Sequence, residues 1–114
     1  MPLYTITTQV GVLDSPAKTD LAGKLTAFHA EYAAVPKNWV HVVFHEYPIG
    51  SGFTAGGSSP AAALTLLIRT GRSADYKREM LKRLWSLVQA ATGAPDEEIV
   101  LGIQEVPSDR KSVV

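Results

Sequence analysis

The chain has 114 residues, 46% of them hydrophobic and 19% charged, which is the size and composition of one globular domain with no room for a second. Its 11 Lys and Arg balance its 11 Asp and Glu, so there is no basic field to draw a phosphate backbone and nucleic acid is not an expected partner. Cysteine is absent, which excludes disulfides, thiolate nucleophiles and Cys-based zinc sites. The start, Met1-Pro2-Leu3-Tyr4-Thr5, lacks the basic and long apolar regions of a secretion signal. The longest apolar stretch, Ala61 to Ile68, is too short to span a bilayer. The expectation is a cytoplasmic protein with no membrane partner, small enough that assembly with copies of itself would help it bury surface.

In chain order, Leu3 to Gln9 alternates and is rich in Thr and Ile, which predicts a strand. Asp14-Ser15-Pro16 supplies a cap and a first-turn proline. Leu21, Leu25, Phe28 and Tyr32 then recur at helical spacing, and the helix should stop before Pro36. Trp39 to His45 reads as a second strand, with Val40, Val42 and Phe44 on one face and His41, Val43 and His45 on the other. The Gly-rich segment Ser51 to Pro60 is a linker, either a loop or a short hairpin. Ala63 to Arg69 reads as a third strand. Ser73 caps a second helix whose stripe is Tyr76, Met80, Leu84, Leu87 or Val88, and Ala91. Gly93 and Pro95 end that helix, and Ile99 to Gln104 is the last strand.

The two halves share one pattern. At an offset of 59, Val35 to Pro48 lies on Ala94 to Pro107 without a gap, with prolines and a glutamate coinciding, and Lys18 falls on Lys77, Leu21 on Met80 and Leu25 on Leu84. One domain, 1–114, with pseudo-repeats about 2–48 and 61–107, is the expectation. Its fold class is α+β: a tandem β-α-β repeat forming a four-stranded sheet with both helices on one face. Val43, Leu66, Leu101 and their alternates read as apolar on both faces, so the uncovered face is expected to pack against other copies.

Few residues here can do chemistry. Pro2 is either an ordinary second residue or, after removal of Met1, an N-terminal secondary amine able to move a proton near neutrality. Apolar burial and neighbouring cations would lower its pKa further. Arg69 and Arg72 stand where the third strand is expected to end and the second helix to begin. They are either solvated surface charges or a bidentate clamp for a carboxylate, helped by the helix dipole. His29, at the edge of the first helix's stripe, is either a packing residue or a donor to a substrate carboxylate or carbonyl. His41 and His45 lie ~13 Å apart along a strand, too far to share a metal; no metal site is expected. The glycines of 51–57 lack the lysine of a phosphate loop, and Ser58 and Ser59 lack the surroundings of a nucleophile elbow.

Pro2-Leu3-Tyr4, Ser15-Pro16-Ala17-Lys18 leading to His29, Arg69-Thr70-Gly71-Arg72-Ser73-Ala74-Asp75-Tyr76-Lys77 and Glu105-Val106-Pro107 together resemble the tautomerase superfamily, nearest its cis-3-chloroacrylic acid dehalogenase group. The resemblance runs from Pro2 to about Pro107. It implies a homotrimer of tandem β-α-β protomers and a cofactor-independent reaction on a small carboxylate-bearing substrate. By position, Pro2 is the acid or base, while Arg69 and Arg72 hold and polarise the carboxylate with help from His29. The dehalogenase group also has a tyrosine on the last strand and a later glutamate that activate water. Gly102 and Val113 stand at those positions here, and the group's longer C-terminal segment is missing. The leading expectation is therefore a tautomerase acting on a 2-oxo acid or its enol, such as phenylenolpyruvate or a hydroxymuconate, with Gly102 leaving more room in the pocket. Hydration or hydrolytic dehalogenation of a 3-haloacrylate remains an alternative. So does a non-catalytic ferredoxin-like binding or oligomerisation module, which a retained Met1 would favour because it acylates the amine.

Overall fold

The computed structural model describes residues 2–107. The first strand, β1 (Leu3–Gln9), buries every second residue, so Tyr4, Ile6 and Thr8 lie beneath the helices. Helix α1 (Ser15–Ala33) starts where the Asp14 carboxylate accepts the Ala17 N–H at 2.9 Å, with Pro16 in the first turn. Its fixed φ suits that turn and its missing N–H is not needed there. The helix ends at Ala34, whose left-handed backbone (φ 55°) turns the chain toward Pro36. Leu21, Leu25 and His29 form its buried stripe.

The second strand starts two residues later than the pattern predicts. Trp39 and Val40 donate their N–H groups back to the carbonyls of Pro36 and Lys37, at 3.1 Å each. Lys37–Trp39 is thus a 3-10 turn, and β2 runs His41–Tyr47. The predicted linker contains a small hairpin of β3 (Phe53–Thr54) and β4 (Gly57–Ser58). Ala55 and Gly56 both have positive φ at its tip, the mirror-image turn that matches strand twist. The third long strand, β5 (Ala62–Arg69), leads to α2 (Ala74–Thr92), capped by the Ser73 hydroxyl and closed by Gly93 at φ 70°. A second 3-10 turn precedes β6 (Ile99–Val106).

The sheet order is β2-β1-β5-β6, parallel in the outer pairs and antiparallel at the centre. Two β-α-β units therefore meet along β1 and β5, and both helices lie on one face over a core of Tyr4, Ile6, Leu21, Leu25, Leu64, Leu66, Met80, Leu84 and Val88. Truncating one such leucine to alanine costs about 2–5 kcal/mol. The matching lysines and glutamates noted above are ion pairs that tie each helix to the end of its unit's second strand: Lys18–Glu46 at 3.2 Å and Lys77–Glu105 at 2.6 Å.

Two expectations need correction. The offset of 59 holds for the helices and second strands, but Tyr4, Ile6 and Thr8 correspond in burial to Leu64, Leu66 and Ile68, which stand 60 positions on. The strand-to-helix loop of the second unit is one residue shorter. The uncovered face is also less apolar than expected. Leu66 and Leu101 belong to the helix-covered side. Strand alternation places Thr5, Thr7, Thr65, His41 and His45 on the open face with Leu3, Val43, Leu67 and Val100. Threonine suits a strand as well as valine does, so the high β-propensity read from sequence did not imply apolarity.

Candidate active site

Antiparallel pairing decides what gathers at one end of the sheet. Leu3 opposes Leu67, so continuing the register sets the beginning of the chain beside Ile68 and Arg69. There the last turn of α1, the 3-10 turn at Trp39 and the first turn of α2 close around a cleft of about 400 Å³. Its lining contains Pro2, His29, Arg69 and Arg72, with Trp39, Tyr76, Ile68 and Met80 among the walls. All four residues singled out from sequence are thus brought together. Among the described residues that line the cleft, two are cationic and none is a carboxylate.

Pro2 is buried, and its carbonyl accepts the His41 N–H at 3.0 Å. Pro2 is thereby stitched to β2, in the lining of the cleft. Met1 lies outside the described residues. His29 is only 4% exposed. Its Nδ1 sits 2.7 Å from the Tyr4 hydroxyl oxygen, and the two rings meet edge to face at 85°. Burial pushes the imidazole pKa down to about 4, and the Arg72 cation adds to that. Burial raises the Tyr4 phenol well above its ordinary range, so Tyr4 stays protonated. A cation is expensive in such a place unless paired, which is why His29 is a neutral imidazole near pH 7.

Arg72 lies on the loop between β5 and the Ser73 cap, with its guanidinium 4.9 Å from the centre of the Tyr76 ring. Tyr76 in turn leans on Tyr32, with ring centres 4.7 Å apart, and the Tyr32 hydroxyl donates to the Tyr76 carbonyl at 2.8 Å. The aromatic pair therefore supports Arg72 from beneath. Arg69 is the last residue of β5, and Gly71 between the two arginines has φ 111°, a conformation that disfavours any side chain there.

Sequence reasoning missed Tyr4, Tyr76 and Trp39. Tyr4 carried a signal: a tyrosine at a buried strand position needs a partner for its hydroxyl. The other two read as stripe or strand residues. His41 and His45 lie on the open face of β2, as expected, and no cluster of three metal-ligating side chains forms among the described residues. Gly102 pairs with Thr65 on the open face of β6 and is not among the residues of this chain that line the cleft. Val113 lies outside the described residues. Among the described residues no helix is long and apolar enough to cross a membrane.

Comparisons with known proteins bear on the family and the fold. The model of a family described as "Putative oxalocrotonate tautomerase enzyme" matches residues 1–109. The crystal structure of native Ps01740 is similar, with 31% identity over 93% of this chain and 95% of that one and a TM-score of 0.87. N1, a member of the cis-3-chloroacrylic acid dehalogenase family, is 27% identical over 94% of this chain and 76% of that one, with a TM-score of 0.84. A fused 4-OT that forms a symmetric trimer shares the fold at TM-score 0.86 and 20% identity, over 98% of this chain and 91% of that one. Among curated proteins none matches.

Proposed function

The chain belongs to the oxalocrotonate tautomerase family, near the cis-3-chloroacrylic acid dehalogenase group, and from that premise we propose that it is a cofactor-independent cytoplasmic tautomerase that interconverts a 2-oxo acid and its enol. The observation that carries this reading is the convergence of Pro2, His29, Arg69 and Arg72 on one cleft. With Met1 removed, Pro2 ends in a secondary amine at the base of that cleft. Arg69 and Arg72 hold the substrate carboxylate through charge-assisted hydrogen bonds, and His29 donates to the carboxylate or the adjacent carbonyl oxygen. In the enol-to-keto direction the amine takes the enol O–H proton. The oxygen's electrons then form the carbonyl while the C=C pair takes a proton from the ammonium at C3, and the amine is regenerated. Both arginines stabilise the enolate charge between the two transfers.

A second reading is hydration or dehalogenation of a 3-haloacrylate, favoured by the 27% identity to N1. Adding water needs a base to activate it, and no carboxylate lines the cleft among the described residues. Assaying a 2-oxo acid enol and a 3-haloacrylate side by side separates the two. Tautomerisation faster by orders of magnitude supports the proposal, and halide release as the faster reaction overturns it. Intact mass checks the premise about the amine: loss of one methionine is expected, and a fully retained Met1 favours the non-catalytic module.

The proposal includes a homotrimer, supported by the open sheet face with Val43 and Val100 42% and 64% exposed and by the trimer described for the fused 4-OT. Sedimentation at three times the 12.3 kDa chain mass is expected. A monomer contradicts it.

A further inference from the structure

We infer that Tyr4 is a positioning residue that fixes His29 as the Nε2–H tautomer, so that His29 meets the substrate as a neutral hydrogen-bond donor and not as an imidazolium. This rests on the proposed function only for the identity of what the donor meets; the tautomer is a property of the free protein.

The argument turns on one proton between two buried atoms. Tyr4 is 0% exposed, and among the described residues the single hydrogen bond of its hydroxyl is the 2.7 Å contact with His29 Nδ1. A neutral imidazole carries its proton on one nitrogen and accepts on the other. If Nδ1 held the proton, it would donate to the tyrosine oxygen, and the phenolic hydrogen would be left buried with no acceptor. An orphaned buried donor costs about 1–3 kcal/mol. If Nδ1 is bare, the phenol donates to it and every group is satisfied.

That choice leaves the proton on Nε2, and Nε2 opens on to the cleft. His29 is one of the lining residues. No buried side-chain nitrogen or oxygen lacks a partner among the described residues, so Nε2, which has no hydrogen-bond partner among those residues, is accessible and presents its N–H there. The charged and titratable groups near the ring agree with a neutral state: Tyr4 on β1 is a phenol, Arg72 on the loop after β5 and the amino terminus of the chain are cations that lower the imidazole pKa, and the phenol Tyr76 on α2 and the cation Arg69 at the end of β5 line the same cleft. None of them favours a second proton on the imidazole. The cleft then offers a carboxylate two cations and one neutral donor, and His29 keeps its donor over the neutral pH range without adding charge.

The test is nitrogen-15 NMR of the ligand-free protein with labelled histidine, assigned among the three histidines with His41→Gln and His45→Gln. The expected result is a His29 with protonated Nε2 and bare Nδ1, unchanged between pH 6 and 8, and a mixture of tautomers in Tyr4→Phe. In the same Tyr4→Phe protein, KM for a 2-oxo acid should rise several-fold while kcat changes less. A proton on Nδ1 in the parent protein, or an unchanged tautomer in Tyr4→Phe, overturns the inference. If the tautomer is as stated and no 2-oxo acid is isomerised, the inference stands and the proposed function fails.

Discussion

The two ends of the sheet are built from matching elements but finished differently. At the open end stand Pro2, Tyr4, His29 and Arg72. Their counterparts in the other unit are Ala62, Leu64, Val88 and Leu13, each 2% exposed or less. Leu13 directly precedes the cap of α1 as Arg72 precedes the cap of α2. Where Arg72 leaves a cleft, Leu13 fills the corresponding corner from within the core. The fold is thus satisfied by apolar side chains at one end, and nothing in its architecture demands a proline, an imidazole or a guanidinium at the other. A buried polar pair such as Tyr4–His29 adds little net stability over a hydrophobic pair of similar shape. Its presence at one end only points to chemistry.

The comparison can be broken by giving the open end the residues of the closed one. Pro2→Ala, in protein that has lost Met1, should lower kcat/KM for a 2-oxo acid enol about a hundredfold or more, the usual worth of a positioned acid-base group. Its urea unfolding curve should hardly move, because Ala62 already occupies the matching place. His29→Val should alter acid stability. The folded-state pKa of His29 is held at about 4 against an ordinary 6.5, so the unfolded chain binds the extra proton first. The parent protein should have its full stability above about pH 6.5 and lose about 3 kcal/mol as pH falls through 4. Urea unfolding at pH 7 and pH 4.5 should show that loss shrinking in His29→Val.

Arg72→Leu should raise the KM for the substrate roughly 10- to 100-fold, the range for losing a charged hydrogen bond of about 1.5–3 kcal/mol, and leave the melting temperature unchanged. The smallest effect is expected from Tyr76→Leu. An exposed cation–π contact is worth about 0.5–1 kcal/mol, so KM should rise about two- to fivefold, and Tyr76→Phe should restore it. Equal losses for Leu and Phe would show that the ring does not position Arg72.

Much of this was legible in the sequence because local chemistry and tertiary structure agree. Asp14 and Ser73 cap where their side chains can accept N–H bonds, Gly93 ends a helix, and the spacing of Leu21, Leu25, Met80 and Leu84 marks one covered face. Pro2, His29, Arg69 and Arg72 could be nominated together because a resemblance linked positions far apart in the chain. Their meeting depends on the antiparallel pairing of β1 with β5, which no local pattern encodes. The late start of β2 was hidden because Trp39 and Val40 have strand propensity, and only hydrogen bonds back to Pro36 and Lys37 reveal a turn. Tyr4 was overlooked since alternation makes it a core residue; its second role needs His29, 25 residues away.

The central claim is that the open end moves a proton at the carbon next to a carbonyl. Proton NMR in heavy water follows this directly, by watching the C3 hydrogens of a 2-oxo acid exchange for deuterium in the presence of the Met1-processed protein. Exchange well above the buffer rate, and lost in Pro2→Ala, is the predicted result. Exchange at the buffer rate, or an equally fast Pro2→Ala protein, would contradict the account.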